Sequence, residues 1–309
     1  MKDFRAPFHT ILAHLTDIFR YDRNTPIVYE NAAIFTCSAP SRMTPMYSHE
    51  LDTIRLALSQ ASERINRITY EGLKVQVKSD GSPVTNADLE VNQILQHVLL
   101  KAFPNDGWLS EESPDDSPRL HTQRVWILDP IDGTKPFIKS LPHYTISLAL
   151  IDKGEPVIGV IFNPATQEYF CAIQGQQATL NGQPIHVRTT TDPSRRTFLV
   201  NPWQVKPPTL KAWRKEHHCP PLLGSIAYSI ALVAAGQVDG VINTGPQNEW
   251  DIAASLILVQ AAGGLIFDKN LKPIQCNQPI PSVNGIIAIR PDALPTIQQW
   301  LTETHASDK

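Results

Sequence analysis

This chain has few of the features that mark membrane, secreted or redox proteins. It has only four cysteines, and none has the CxxC or Cys/His spacing of a metal site: Cys37, Cys171, Cys219 and Cys276. Such isolated thiols are typical of reduced, cytosolic proteins. No apolar run approaches the roughly 18 residues that a membrane helix needs. We therefore expect a cytoplasmic protein with no membrane partner.

A strong charge of either sign is also missing. The 309 residues carry a formal net charge of −3, whereas chains that bind nucleic-acid polymers usually have a basic excess. A small anionic substrate stays open, because bound metal ions can supply local positive charge. The length, with 42% hydrophobic residues, fits one large domain or two smaller ones.

The first 46 residues differ from the rest of the chain. They contain short mixed segments, including a loop-like stretch at Ser38–Ser41, and they lack the continuous apolar core of a secretory signal. Met43 and Met46 precede the first clear helical pattern. We predict that residues 1–46 are a poorly ordered extension and that translation starts at one of these methionines. The intact mass of the native protein would test this.

Hydrophobic periodicity predicts two helices, a run of strands and a second mixed region. Spacings of three and four indicate a helix from Ser48 and another from about Asn86 to Phe103. Strand patterns lie at 125–128, 145–151, 156–162 and 168–172. After a boundary at 192–194, strands alternate with helices at 226–235 and 250–262. We predict an α/β fold (α+β layered) with packed halves at 47–192 and 193–309.

The most informative segment is DPIDGT at positions 129–134, which directly follows the apolar run VWIL. The run indicates a buried strand, and an unpaired buried carboxylate is costly. A divalent cation would remove that cost, because Mg²⁺ takes carboxylate, carbonyl and water oxygens as ligands. The turn offers two carboxylates, a backbone carbonyl and a hydroxyl, and so predicts a Mg²⁺ site.

Three further acidic elements stand beside predicted helix or strand ends, and each also has a structural interpretation. Asp88 could stabilise a helix N-terminus. The pair Glu111 and Glu112 could be a solvated turn, and Asp251 could cap a helix. The turn at 129–134 could itself be structural. Taken together, in this order, the four elements favour a functional site.

Three motifs in this order resemble the lithium-sensitive, metal-dependent phosphatase superfamily that includes inositol monophosphatase. They are EES at 111–113, DPIDGT at 129–134 and WDIAA at 250–254. The similarity runs from about residue 48 to 304 and includes GS at 224–225 and AGG at 262–264. It implies a five-layer α-β-α-β-α sandwich, a monomer or homodimer, and an enzyme acting on a small anionic phosphate ester.

The resemblance also implies a set of metal ligands. Glu111, Asp129 and the Ile131 carbonyl would hold one Mg²⁺ ion, and Asp129, Asp132 and Asp251 a second. A third, weaker ion would lie on the Glu111 side. Replacing Asp132 with Asn should then lower turnover by orders of magnitude while the fold stays intact, and Li⁺ in the millimolar range or below should inhibit.

The catalytic and substrate-binding residues are carried over in the same way. Asp88 and Thr134 would orient and deprotonate the attacking water. Backbone N–H groups of Gly133 and Thr134 would bind phosphate, since a turn that enters a helix is an anion site. Gly224 and Ser225 would contact the substrate, although Ser225 could also be a simple helix cap.

The substrate is the least determined point. Thr244 stands where inositol monophosphatases typically carry a Glu that binds an inositol hydroxyl, so inositol is disfavoured. The segments KSDGSPVT at 78–85, TKPFI at 134–138 and GPQNEWD at 245–251 resemble the bacterial 3′(2′),5′-bisphosphate nucleotidase branch, although Pro136 replaces its usual Glu. A histidinol-phosphate or inositol-phosphate phosphatase is the alternative within the superfamily. A catalytically silent binding protein is the alternative outside it, whereas a Ca²⁺-binding structural protein is disfavoured because the sequence has no twelve-residue loop of alternating acids.

Two lysines beside the phosphate turn bear on the same question. Lys135 and Lys139 could capture the second phosphate of a bisphosphate, or they could be ordinary solvated lysines.

Overall fold

The computed structural model describes residues 46–189, 196–201 and 207–306. The predicted boundary at 192–194 lies outside these residues, and so does the predicted extension apart from Met46. The extension and the division into two halves therefore stay predictions. None of the helices in the described ranges combines the length and apolar character of a membrane span.

Two long helices open the fold at the positions that their periodicity predicts. Helix α1 spans Ser48–Glu71 and helix α2 spans Asn86–Ala102. Between them, β1 (Val75–Val77) and β2 (Pro83–Thr85) form an antiparallel hairpin. The last residue of β2 is also the N-cap of α2, because its hydroxyl accepts a backbone N–H of the first helical turn. The hairpin therefore leads directly into the helix.

A seven-stranded sheet lies beside these helices, with its strands in sequence order. The strands are β3 (Gly107–Ser110), β4 (Arg124–Asp132), β5 (Thr145–Asp152), β6 (Glu155–Asn163), β7 (Glu168–Ile173), β8 (Thr179–Leu180) and β9 (Gln183–Pro184). Strands β3 and β4 are parallel, and the other neighbours are antiparallel. The β4–β5 pairing becomes irregular between Asp129 and Asp132, and the short helix α3 (Thr134–Ile138) follows.

A four-stranded sheet forms the second β layer. Its order is β10 (Phe198–Val200), β11 (Gly240–Asn243), β15 (Ile286–Ile289) and β13 (Leu265–Phe267). A separate two-stranded ladder joins β12 (Gln247–Asn248) to β14 (Ser282–Val283). The helices of this region are α4 (Pro207–Glu216), α5 (Ile226–Ala234), α6 (Glu249–Ala261) and α7 (Leu294–Ala306).

Helices and sheets alternate in five layers. The first pair of helices shares an apolar core with the seven-stranded sheet. Helices α5 and α6 lie between the two sheets, with α6 against β4 to β7 and α5 against β11. Trp213 of α4 and Trp300 of α7 pack on the small sheet. The predicted layered α/β fold is therefore confirmed.

A glycine in the middle of β6 sets how closely α6 approaches the large sheet. A Cβ on Gly159 would lie 2.4 Å from the Ala254 carbonyl oxygen of α6. Only a residue without a side chain fits there. Because Asp251 stands in the first turn of α6, this contact also positions that carboxylate.

Candidate active site

Strand β4 ends in a turn that its own side chains hold together. Asp129, Ile131 and Asp132 are all buried. The Ile131 N–H donates to Asp129 Oδ1 at 3.0 Å, and the Ile131 carbonyl lies 3.2 Å from the Thr134 hydroxyl. Two carboxylates and a carbonyl are thereby collected at the end of one buried strand.

Asp88 reaches the same turn from the start of α2. Its Oδ2 accepts from the N–H and the hydroxyl of Thr85 at 2.8 and 2.5 Å, which completes a capping box. Its Oδ1 accepts from the Thr134 hydroxyl at 3.1 Å. Burial raises the pKa of Asp88, although these hydrogen bonds oppose the rise. Asp88 therefore stabilises the helix start and also contacts the other predicted catalytic residue.

Asp132 is held from the opposite side by the start of α5. Its Oδ2 accepts from the Ser225 hydroxyl and from the Ala227 N–H, both at 2.7 Å. Burial raises the pKa of Asp132 to about 7, even though these two bonds lower it. Ser225 is fully buried and caps α5 by accepting from the Tyr228 N–H at 2.9 Å. Its hydroxyl is engaged inside the protein, which favours the helix-cap interpretation over direct substrate contact.

The negative charges of the other predicted ligands act on Asp129. Burial raises the pKa of Asp129 well above its usual value, and the charges of Glu111, Asp132, Asp251 and Asp88 raise it further. Asp251 also has a strongly raised pKa, first from burial and then from Asp132. Its Oδ2 accepts the N–H of Asn248, the N-cap of α6. The fold therefore brings acids from four separate elements around one carboxylate.

Lys78, which the sequence reasoning did not assign to the site, is a cation within this cluster. It lies in the turn between β1 and β2, and its Nζ donates to Glu111 Oε1 at 2.7 Å and to Glu112 Oε1. Burial lowers the pKa of Lys78, but the two carboxylates raise it by more. The pair Glu111 and Glu112 is thus not a freely solvated turn. The available sequence signal was the KSDGSPVT segment, which begins with this lysine.

Asn92 is a second residue that the sequence reasoning missed. It is buried on the apolar face of α2, where its Oδ1 accepts from the Ser110 hydroxyl at 2.7 Å. Its amide nitrogen donates to the Ser113 hydroxyl at 3.0 Å and to the Glu112 carbonyl at 3.4 Å. Asn92 therefore anchors the glutamate turn to α2. In the sequence, the only indication of this role is that Asn92 lies among the apolar residues that α2 buries.

The predicted phosphate turn packs directly against the predicted substrate segment. Gly133 has a φ of 95°, in the left-handed region, and stands at the N-cap of α3. Gly224 has a φ of 110°, and a Cβ there would lie 2.3 Å from the Pro136 ring. Pro136, which departs from the nucleotidase pattern, thus lies in the first turn of α3 against the Gly224 backbone. Lys135 is exposed beside this contact.

The donor set fits a hard divalent ion, although the side chains are not arranged as a finished metal centre. In the described part of the chain, no group of three His, Cys, Asp or Glu residues is already placed to hold a metal ion. Burial and neighbouring acids raise the pKa values of Asp129, Asp132 and Asp251, and a bound cation relieves both effects. Carboxylate and carbonyl oxygens are the ligands that Mg²⁺ prefers. Individual ligand assignments stay predictions.

The comparison with known families places this chain among the metal-dependent phosphatases. The profile of the inositol monophosphatase family matches residues 46–304, and the chain belongs to that family. The family resemblance inferred from the motifs is thus confirmed.

Proteins similar to this chain are named for different functions. It is 33% identical over 230 residues to the 3′(2′),5′-bisphosphate nucleotidase CysQ of Escherichia coli, covering 72% of this chain and 92% of that protein. It is 31% identical over 236 residues to the Nus factor SuhB of Pasteurella multocida, covering 74% and 86%. The structure of a Thermotoga maritima IMPase matches with a TM-score of 0.75 and 28% identity over 84% of this chain and 99% of that one.

Proposed function

We propose that this protein is a Mg²⁺-dependent phosphomonoesterase that removes the 3′(2′)-phosphate of 3′-phosphoadenosine 5′-phosphate. The observation that carries the proposal is the cluster of acids around Asp129, joined to the Asp88–Thr134 hydrogen bond at the same turn. Belonging to a phosphatase family supports the reaction class. The choice of this nucleotide has separate support in the sequence and its relatives.

Asp88 is suited to accept a proton from water. Its Oδ2 already accepts two hydrogen bonds from Thr85, whereas its Oδ1 accepts one from Thr134. A carboxylate oxygen has about two lone-pair sites, so one site on Oδ1 stays open to a water molecule. Thr134 is a poor base by itself, and its role is to align the water and relay its proton to Asp88. A raised pKa makes the Asp88 carboxylate a better base than an exposed aspartate.

The proposed ligands are Glu111, Asp129, the Ile131 carbonyl, Asp132 and Asp251, which would hold two or three Mg²⁺ ions as the family resemblance implies. When bound, such ions supply polarisation of the phosphoryl oxygens and a lower pKa for a bound water. The chain contributes carboxylates at helix and strand ends, two of which are held by hydrogen bonds: Asp132 by Ser225 and Ala227, and Asp251 by the Asn248 N–H.

Three features support a bisphosphate nucleotide as the substrate. Thr244 lacks the charged acceptor that inositol monophosphatases offer to an inositol hydroxyl. The similarity to a nucleotidase of E. coli supports the same choice. Lys135 is exposed next to the proposed phosphate turn, where it can meet a second phosphate.

A substrate panel tests the proposal. Phosphate release would be measured from 3′-phosphoadenosine 5′-phosphate, histidinol phosphate, inositol 1-phosphate and fructose 1,6-bisphosphate at fixed Mg²⁺ and in EDTA. We expect the highest kcat/KM for the nucleotide and no turnover in EDTA. Lys135→Gln should lower kcat/KM for the bisphosphate more than for a monophosphate, whereas Lys101→Gln, an exposed lysine on α2, should change neither. A preference for histidinol phosphate or inositol 1-phosphate would replace the nucleotide proposal.

A catalytically silent binding protein is the second candidate. The similarity to a protein named as a Nus factor supports it. Retention of Asp88 and Thr134 in hydrogen-bond contact argues against it. A folded wild-type protein that releases no phosphate from any ester, with or without Mg²⁺, would favour this candidate over the enzyme.

A further inference from the structure

Two buried hydroxyl groups connect β5 and α5 to Asp132. Thr145, at the start of β5, pairs with Asp132 across the β4–β5 ladder. Thr145 Oγ1 lies 3.1 Å from Ser225 Oγ, which lies 2.7 Å from Asp132 Oδ2. Thr145 and Ser225 are 0% exposed, so both hydroxyls must find partners within the protein.

The direction of these hydrogen bonds follows from counting donors. An ionised carboxylate only accepts, so the single hydroxyl hydrogen of Ser225 is directed to Asp132. The Ser225 oxygen also accepts from the Tyr228 N–H. Its second lone pair is then left to accept from Thr145. The chain of donation therefore runs from Thr145 to Ser225 to Asp132.

This arrangement engages one of the two oxygens of Asp132. Oδ2 accepts from Ser225 and from the Ala227 N–H, which uses both of its lone-pair sites. We propose that Thr145 and Ser225 are positioning residues that fix the orientation of the Asp132 carboxylate as a Mg²⁺ ligand. The inference rests on the proposed metal-dependent function. Thr145 acts through Ser225 and touches neither the ion nor the substrate.

Metal binding without substrate tests the role of Thr145. Thr145→Val keeps the shape of the side chain and removes the hydroxyl, so Ser225 loses the donor that fixes its orientation. Isothermal titration of Mg²⁺ into the metal-free protein should show affinity weakened by about tenfold, as is usual when a group behind a metal ligand is removed. Thr145→Ser keeps the hydroxyl and should retain wild-type affinity.

Ser229→Ala is the matched control. Ser229 is also fully buried on α5, but its hydroxyl donates to the Ser225 carbonyl at 2.7 Å and not to Asp132. This variant should lower the melting temperature, measured by circular dichroism, and leave the Mg²⁺ affinity unchanged. Loss of a buried hydroxyl on the same helix is thereby separated from loss of the connection to Asp132.

Several outcomes would overturn the inference. One is a folded Thr145→Val protein whose Mg²⁺ affinity lies within about twofold of wild type, the usual margin for independent sites. Another is an additional loss of residual affinity when Thr145→Val is combined with Asp132→Asn, because a residue that acts through Asp132 adds nothing once Asp132 is replaced.

If Thr145→Val does not fold, Thr145→Ala and Thr145→Ser take its place, since they differ only in the hydroxyl. Equal Mg²⁺ affinity in these two variants would likewise overturn the inference. A wild-type protein that binds no Mg²⁺ would overturn the proposed function as well. An unaffected Thr145→Val protein would leave the proposed function standing.

Discussion

Each sheet of this protein has a buried aspartate in or next to one of its strands, but the charged groups around the two aspartates differ. Asp129 and Asp239 are 2% and 1% exposed. Asp239, just before β11, lies 3.1 Å from an Arg290 nitrogen and 3.4 Å from an Arg188 nitrogen, and it accepts from the Thr197 N–H at 2.7 Å. The charges that act most strongly on Asp129 are those of other carboxylates, and they raise its pKa.

The comparison shows that burial of an acid does not by itself indicate a functional site. Where arginines surround the carboxylate, the charge is neutralised within the chain and the group is structural. Where carboxylates outnumber the cations beside them, as the acids around Asp129 outnumber Lys78, negative charge is left for a cation from solution. The acids at the end of β4 are of the second kind.

Removing one acid from the cluster around Asp129 should sharply lower turnover. Asp132→Asn keeps the size of the side chain but removes a charged ligand, so kcat should fall by orders of magnitude with the circular dichroism spectrum unchanged. Phosphate release at saturating Mg²⁺ checks this. A variant that keeps near-normal Mg²⁺-dependent activity would contradict the assignment of Asp132.

Replacing Asp239, the aspartate surrounded by arginines, with Asn should instead lower stability and leave turnover unchanged. Asp239→Asn leaves Arg290, whose side chain is 4% exposed, without one of its charge partners. Breaking a buried pair in this way costs about 3 kcal/mol of unfolding free energy. Urea denaturation should show that loss, while kcat stays close to wild type. A stable but inactive Asp239→Asn protein would remove the distinction between the clusters.

Substitution of Gly159, which lies between β6 and α6, should affect both stability and Mg²⁺ binding. Gly159→Ala forces a Cβ to within 2.4 Å of the Ala254 carbonyl and displaces α6, which carries Asp251. We expect a loss of about 2 kcal/mol of unfolding free energy from overpacking, together with weaker Mg²⁺ binding by calorimetry.

Gly240→Ala is the control for this displacement. Its Cβ would lie 2.8 Å from the Ile289 side chain in the small sheet, whose strands carry none of the proposed Mg²⁺ ligands. It should lower stability without changing Mg²⁺ affinity. Equal weakening of Mg²⁺ binding in both glycine variants would contradict the idea that Gly159 positions Asp251.

The smallest expected effect is a pH dependence of the metal-free protein. Burial raises the pKa of Asp132 from 3.8 to about 7, so the folded state binds more protons than the unfolded state between these values. The contribution of Asp132 to stability is therefore fully present below pH 3.8 and is lost as the pH rises through about 7. Melting temperatures in EDTA should show Asp132→Asn gaining on wild type as the pH rises.

Two further observations decide whether this pH dependence comes from the acidic cluster. Mg²⁺ should reduce the difference between wild type and Asp132→Asn at neutral pH, because it replaces the proton as counter-charge. A difference that stays constant from acidic to neutral pH would contradict the raised pKa of Asp132.

Much of the fold was predictable because its signals are local. The spacing of apolar residues predicted α1 and α2 before any contact was known. The apolar run before Asp129 predicted a buried strand, and β4 runs through it to Asp132. The capping role suggested for Ser225 needed only its place before an apolar helix, and Ser225 is the N-cap of α5.

Contacts between distant segments were not predictable in the same way. Lys78 lies 33 residues from Glu111, and Asn92 lies 21 residues from Ser113. The hydrogen bond from Ser225 to Asp132 spans 93 residues. No periodicity or spacing in the sequence specifies such pairs, because they depend on how complete elements pack.

The amino-acid sequence by itself determined which acids this protein carries and that each stands at the end of a helix or strand, since both properties depend on neighbours along the chain. Only the tertiary structure decided that acids from four elements surround Asp129 while arginines surround Asp239. The reason is physical: charges interact through space, and the distances between remote residues are set by the packing of α5 and α6 between two sheets.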